Sequence, residues 1–173
     1  MTEHRVIVIA GVSGSGKSTI GELLAEHLGW DYAEADAFHS QANIDKMASG
    51  HPLTDADRLP WLQAIAAWID ERLAADRPGI VSCSALKRGY RDLLAGGRPA
   101  VAMVLLDGDR DLIAARMKAR KGHFFKATLL DTQFADLELP APDEDVLLAP
   151  ITGPPEETVT HILKSLNLTP TPR

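Results

Sequence analysis

Apolar residues in this chain gather into short continuous runs, and between the runs they recur at helical spacing. Arg5 to Ala10 (RVIVIA) is a β-branched run that ends at glycine and predicts a buried strand. Thr19 to Leu28 predicts a helix, Asp31 to Ala35 a weaker second strand, and Ala42 to Ser49 a short helix ended by Gly50 and Pro52. From about Pro60 to Ala75, Leu62, Ile65, Ala66, Ile69 and Leu73 form the buried stripe of a long helix, with Pro60 in its first turn and Trp61 and Trp68 in the core. Gly79 to Ser84 predicts a third strand, and Lys87 to Leu94 a helix stopped by Gly96 and Gly97. Pro99 to Leu106 predicts a fourth strand, Asp109 to Lys118 a helix, Asp145 to Ala149 a short fifth strand, and Pro154 to Leu166 a closing helix. Arg116 to Lys126 is basic, interrupts the helical pattern and reads as a lid. The tail from Thr169 to Arg173 is expected to fray.

Five apolar strands alternating with helices predict an α/β fold, a five-stranded parallel sheet with helices on both faces. The 173 residues suit one domain spanning residues 1–173. In such a sheet, ligands sit beyond the carboxyl ends of the strands. Ser18, Asp36, Ser84 and Asp107 follow strands and so become candidates.

The loop after the first strand carries the sharpest chemistry. Gly11-Val12-Ser13-Gly14-Ser15-Gly16-Lys17-Ser18 fits G-x-x-x-x-G-K-[ST] in the strand–loop–helix context that the motif requires. Its glycines let the backbone approach phosphate oxygens, and successive N–H groups through Thr19 form an anion nest at a helix N-terminus. Lys17 is expected to reach the β- and γ-phosphates of ATP, and Ser18 to ligate Mg²⁺.

Charge and composition narrow the partners. A net charge of −6 argues against a broad nucleic-acid face, so an anionic substrate needs a local basic cluster. Cys83 is the single cysteine, which excludes an intramolecular disulfide and suits a cytoplasmic setting. The N-terminus shows no signal-peptide pattern, and no apolar run approaches the roughly 18 residues of a membrane span.

Further constellations surround the loop. Glu34-Ala35-Asp36 ends the second strand; Asp36 is placed to take the proton of an acceptor hydroxyl and Glu34 to hold a magnesium-bound water, or both are loop carboxylates or caps. His39 either contacts substrate or helps start the next helix. Residues 37–60 form an acceptor-binding insert in which Arg58 either grips a carboxylate or pairs with Asp55 or Asp57 at the surface. Ser84 and Lys87 face the same crevice as Asp36. Arg91 shares the helical face of Lys87, and positive charge at a helix start argues for an anionic partner. Cys83 reads as a small buried residue. Arg116 and Arg120 share a helix face and either reach the transferring phosphoryl group or remain solvated. Gly122-His123-Phe124 fits the tip of a lid, with His123 as a candidate ligand contact.

These stretches, with D-x-x-H at Asp36, NIDKMASGHPLTDADRLPWL at Asn43, CSALKRGYRDLL at Cys83, RMKARKGHFF at Arg116 and LLDTQFADLELP at Leu129, resemble the gluconate kinases (gluconokinases) of the P-loop small-molecule kinase group. The resemblance implies a P-loop kinase fold, ATP-dependent phosphorylation of D-gluconate to 6-phosphogluconate and a homodimer. It places Lys17 and Ser18 on the triphosphate and Mg²⁺, Asp36 on the acceptor hydroxyl, Arg58 and Lys87 near the sugar acid, and Arg120 in the lid. Where the family often has glycine before the strand-end aspartate, this chain has Ala35. A shikimate kinase would share the loop but show a glycine triplet where this chain has Ser82-Cys83-Ser84-Ala85. A regulatory NTPase switch would need an N-K-x-D motif, which is absent, and Asp76-Arg77-Pro78-Gly79 precedes a strand and reads as a turn.

Overall fold

The computed structural model describes residues 3–51, 53–122 and 126–170. Pro52, His123, Phe124 and the last three residues of the expected frayed tail lie outside that description. The elements run β1 (Val6–Ala10), α1 (Lys17–Leu28), β2 (Asp31–Glu34), a 3₁₀ turn (Ala35–Phe38), α2 (Gln41–Ala48), α3 (Asp55–Ala74), β3 (Gly79–Ser82), α4 (Arg88–Ala95), β4 (Val101–Asp107), α5 (Arg110–Lys121), α6 (Ala127–Asp136), β5 (Val146–Pro150) and α7 (Pro155–Ser165).

All five strands are parallel, in the order β2-β3-β1-β4-β5. β1 is central, with Val8 opposite Val81 on one side and Met103 on the other. Its five residues are buried, and their side chains alternate between two apolar layers. Ile7 and Ile9 pack with Ile20 and Leu24 of α1, Ile113 of α5, Leu130 of α6 and Ile162 of α7. Val6, Val8 and Ala10 pack with Leu62, Ile65 and Ile69 of α3 and Leu94 of α4. The periodic stripe on the long helix is therefore the inner face of α3.

The main departures from the sequence expectation are two boundaries and one added helix. α3 begins at Asp55, because Thr54 and Asp57 close a capping box there, and Pro60 lies inside the helix. α5 continues to Lys121, so Arg116 to Lys121 extend the helix instead of interrupting it. α6 has no counterpart in the sequence expectation. Its only buried residue is Leu130, and Lys126 gives it no side-chain cap, so little in its own sequence announces it.

Arg91 corrects the reading of the basic run after β3. Its guanidinium is not offered to an external anion. Nε donates to Glu144 Oε1 at 2.5 Å and Nη2 to Glu144 Oε2 at 3.2 Å, with the two side chains 1% and 6% exposed. The remaining donors reach the carbonyls of Ala85 (3.2 Å), Leu86 (2.9 Å) and Glu138 (2.8 Å). One buried cation thus ties together the segment after β3, the end of α6 and the approach to β5. The Arg91 hydrogen bond holds the Glu144 carboxyl below the ordinary glutamate range.

Glu144→Ala would strand the buried guanidinium and is expected to cost about 3–5 kcal/mol, read as a lower urea midpoint. Because Glu144 is depressed in the folded chain, its contribution is complete above the unfolded pKa of about 4.3 and fades as the pH falls through the folded value. The gap between wild type and Glu144→Ala should therefore narrow in acid.

Candidate active site

The loop between β1 and α1 is shaped by its glycines and by its own side chains. Gly16 caps α1 at φ 98°, and Gly14 turns at φ 81° where a Cβ would come within 2.5 Å of Met117. Both positions demand glycine. Ser15 Oγ donates to the Val12 carbonyl at 2.7 Å. Lys17 Nζ donates to the carbonyls of Gly11 (2.9 Å) and Val12 (3.0 Å). Burial lowers the Lys17 pKa, while Cys83, Asp36 and Glu34 oppose the shift. The Lys17 carbonyl accepts from Ser82 Oγ at 3.1 Å, which seats the helix start on β3.

Beyond the strand ends lies a crevice of about 600 Å³. Ser13, Gly14, Gly16, Lys17, Ser18 and Thr19 form one side of it. Glu34, Asp36, His39, Arg58, Ser84 and Lys87 line the rest of the acceptor side. The structure therefore gathers onto one cavity groups that the chain carries more than 60 residues apart. Asp36 sits in the 3₁₀ turn after β2. Ala35 is buried beneath α3, where its carbonyl accepts from Trp61 Nε1 at 2.7 Å. Tyr32 OH donates to Glu34 Oε1 at 3.0 Å and lies 2.8 Å from Ser82 Oγ. Burial is the main cause of a Tyr32 pKa raised to about 12.

His39 stacks on Trp61 with ring centroids 4.3 Å apart and planes 9° apart. Its Nδ1 lies 3.4 Å from Asn43 Nδ2, which also donates to the Asp57 carbonyl at 2.9 Å. Burial lowers the His39 pKa; Asp36 opposes the shift and Arg58 adds to it.

The surface-pair alternative for Arg58 meets occupied carboxylates. Asp57 is held by Lys46 at 2.5 Å and by the α3 capping box, which pull its pKa to about 2. Asp55 is held by Tyr90 and by Lys87 Nζ at 3.2 Å, and its carboxyl lies below the ordinary range. Arg58 Nη1 instead donates to Tyr90 OH at 3.4 Å. Lys87 reaches the crevice while sharing Asp55, whose hydrogen bond raises its pKa.

A second cavity of about 420 Å³ opens behind the loop, between Gly14, Gly16 and Thr19 on one side and Thr152, Gly153 and Pro154 on the other. Arg116 and Arg120 line it, and Arg116 Nη2 lies 3.5 Å from the Thr152 carbonyl. Arg120 also borders the larger crevice, so it stands where the two spaces meet. Ser15 faces this second cavity. Asp107 ends β4 with an exposed side chain and lines neither space; its carbonyl accepts from Ile151 N. Arg91 likewise lines neither. His123 lies outside the described residues.

Sequence reasoning missed one wall. Leu129, Thr132, Gln133 and Asp136 of α6 line the larger crevice. The available signal was weak: Gln133 and Asp136 are three apart on one helical face, in a segment of mixed apolar and polar residues.

A parallel sheet with a central β1, a glycine loop feeding α1, and two cavities meeting at that loop define a nucleotide-binding P-loop kinase. A family model described as an AAA domain matches residues 6–140. The thermoresistant gluconokinase of Escherichia coli (strain K12) is 46% identical over 165 residues, covering 94% of this chain and 93% of that protein. The gluconokinase of Gluconobacter oxydans (strain 621H) is 44% identical over 155 residues, covering 85% and 87%. The crystal structure of a gluconokinase from Sinorhizobium meliloti 1021 superposes with a TM-score of 0.83 at 45% identity, covering 96% and 94%. The chain belongs to the gluconokinase family of P-loop kinases, and it is a kinase.

Cys83 is buried against this site, and burial pushes its thiol up to about 12. A thiol-specific reagent at pH 8 should leave the native chain unmodified and label one cysteine after denaturation. Rapid labelling of the folded chain would contradict that burial.

Proposed function

We propose that this kinase transfers the γ-phosphoryl group of ATP to the primary hydroxyl of D-gluconate, giving 6-phospho-D-gluconate. The observation that carries the reading is the single crevice that joins Lys17 and the phosphate loop to Asp36, with Arg58 and Lys87 also on it. Gluconate has the matching layout, a carboxylate at one end and a primary hydroxyl at the other. Arg58 and Lys87 bind the carboxylate, and Ser84 and His39 complete the polar lining. Asp36 accepts the hydroxyl proton as the oxygen bonds to the γ-phosphorus and the bond to the ADP oxygen breaks.

The phosphate loop, from Gly11 to Thr19, holds the triphosphate by backbone N–H groups, and Lys17 balances the β- and γ-phosphate charge. Arg116 and Arg120 border the cavity behind the loop and stabilise charge on the phosphates from the other side. The donor set near the loop suits Mg²⁺. Ser18 supplies a hydroxyl and Glu34 a carboxylate that would hold a metal-bound water, and such hard oxygens in small number, completed by phosphates and water, are what this ion takes. When bound, the ion would neutralise charge that develops between the β- and γ-phosphates. A homodimer in the cytoplasm is part of the same proposal, as the resemblance of the sequence motifs to gluconate kinases implies. A neutral sugar would leave the half-buried Arg58 and Lys87 without the substrate carboxylate, which would disfavour it.

Gluconate should stimulate ADP release strongly, while shikimate, glucose and buffer alone should not; equal rates with and without gluconate would overturn the assignment. Lys17→Ala is expected to abolish nearly all transfer. Asp36→Asn should lower kcat by about 10²–10⁴ while ATP affinity changes little, and an undiminished kcat would remove Asp36 from proton transfer. Arg58→Ala should raise the KM for gluconate about tenfold or more with the KM for ATP nearly unchanged, and a constant gluconate KM would place Arg58 outside the anion grip.

A further inference from the structure

Gln133 of α6 makes two hydrogen bonds to a residue 120 positions away in the chain. The backbone N–H of Ser13 donates to Gln133 Oε1 at 2.5 Å, and Gln133 Nε2 donates to Ser13 Oγ at 2.8 Å. A backbone N–H can only donate, so the orientation of the side-chain amide is fixed by its partner. Both contacts are part-buried, where a lost partner leaves a polar group unsatisfied.

Ser13 is the third residue of the phosphate loop. It follows Val12, whose carbonyl accepts from Lys17 Nζ and Ser15 Oγ, and it precedes Gly14, which turns against Met117. Other contacts to the loop come from Tyr32 of β2, which hydrogen-bonds Ser18, from the Ser84 carbonyl after β3, which accepts from Gly11 N–H, and from Met117 of α5. Gln133 adds a grip from a wall of the crevice. That wall is itself anchored: Leu130 is buried in the core, Arg110 Nε reaches Asp131 at 2.5 Å, and the Glu138 N–H donates to the Leu86 carbonyl at 2.8 Å. Ser13 lines the crevice that also holds Asp36. The clamp therefore acts at the transfer end of the loop.

We propose that Gln133 is a positioning residue for phosphoryl transfer: by clamping Ser13 it fixes the phosphate loop to the α6 wall, so that the triphosphate cradle and the acceptor wall keep one geometry. The inference rests on the kinase reading above and deepens it. Small misplacements of reacting groups are costly, about a hundredfold for 1 Å, so a clamp of this kind should appear in kcat before it appears in binding.

The test uses the full-length chain with ATP, Mg²⁺ and gluconate. Gln133→Met keeps similar bulk and removes both hydrogen bonds. It is expected to lower kcat about tenfold or more while both KM values stay within about threefold. Ser13→Ala removes the hydroxyl contact alone and should lower kcat about threefold. In the double variant the Ser13 substitution should add no further loss, since its partner has already gone. A kcat for Gln133→Met within twofold of wild type, or fully additive losses, would overturn the proposal. If Gln133→Met fails to fold, Ser13→Ala decides, because an unchanged kcat there would also overturn it. Wild-type chain without gluconate-dependent ADP release would sink the assigned reaction; active wild type with an undiminished Gln133 variant would sink this inference alone.

Discussion

The structure depends first on the complete burial of β1. A strand covered on both faces and flanked by parallel neighbours has no polar outlet along its length, so its only chemistry is at its ends. At the carboxyl end the chain must reverse quickly into α1, and Gly11, Gly14 and Gly16 make that reversal with dihedrals that other residues rarely adopt. The same reversal directs N–H groups and a helix N-terminus into one space. Anion binding is thus a consequence of how a buried parallel strand hands over to a helix.

Electrostatics then sorts the basic residues into two groups. Arg91, Arg98 and Arg110 are consumed by carboxylates of the chain itself, and Arg91 has four anchoring partners in a region with almost no solvent. Such a pair holds segments together, because removing either partner strands a charge. Lys17, Arg58 and Arg120 face the cavities instead, and Lys87 does so while sharing Asp55. Sequence alone gives all of these residues the same positive sign. The internal carboxylates decide which are available to an outside anion.

The fold was largely legible because its signals are local. Continuous apolar runs mark β1 and β4, and the stripe from Leu62 to Ile69 marks the buried face of α3. The phosphate loop was legible for the same reason, since strand, glycines, lysine and helix are contiguous. The start of α3 was misplaced because Pro60 looks like a first-turn residue, whereas the capping box at Thr54 starts the helix earlier. α6 was invisible because a ten-residue helix with one buried side chain forms by docking on a core that other elements build.

The sequence by itself determined the α/β alternation, the phosphate loop and the strand-end carboxylate Asp36, because each is written in neighbouring residues and their periodicity. Only the tertiary structure decided that Arg91 belongs to Glu144, that Arg58 reaches Tyr90, and that Gln133 grips Ser13. These are contacts between segments brought together by the parallel sheet. Their partners are set by packing across tens of residues, and no local pattern encodes which charge or amide will find which.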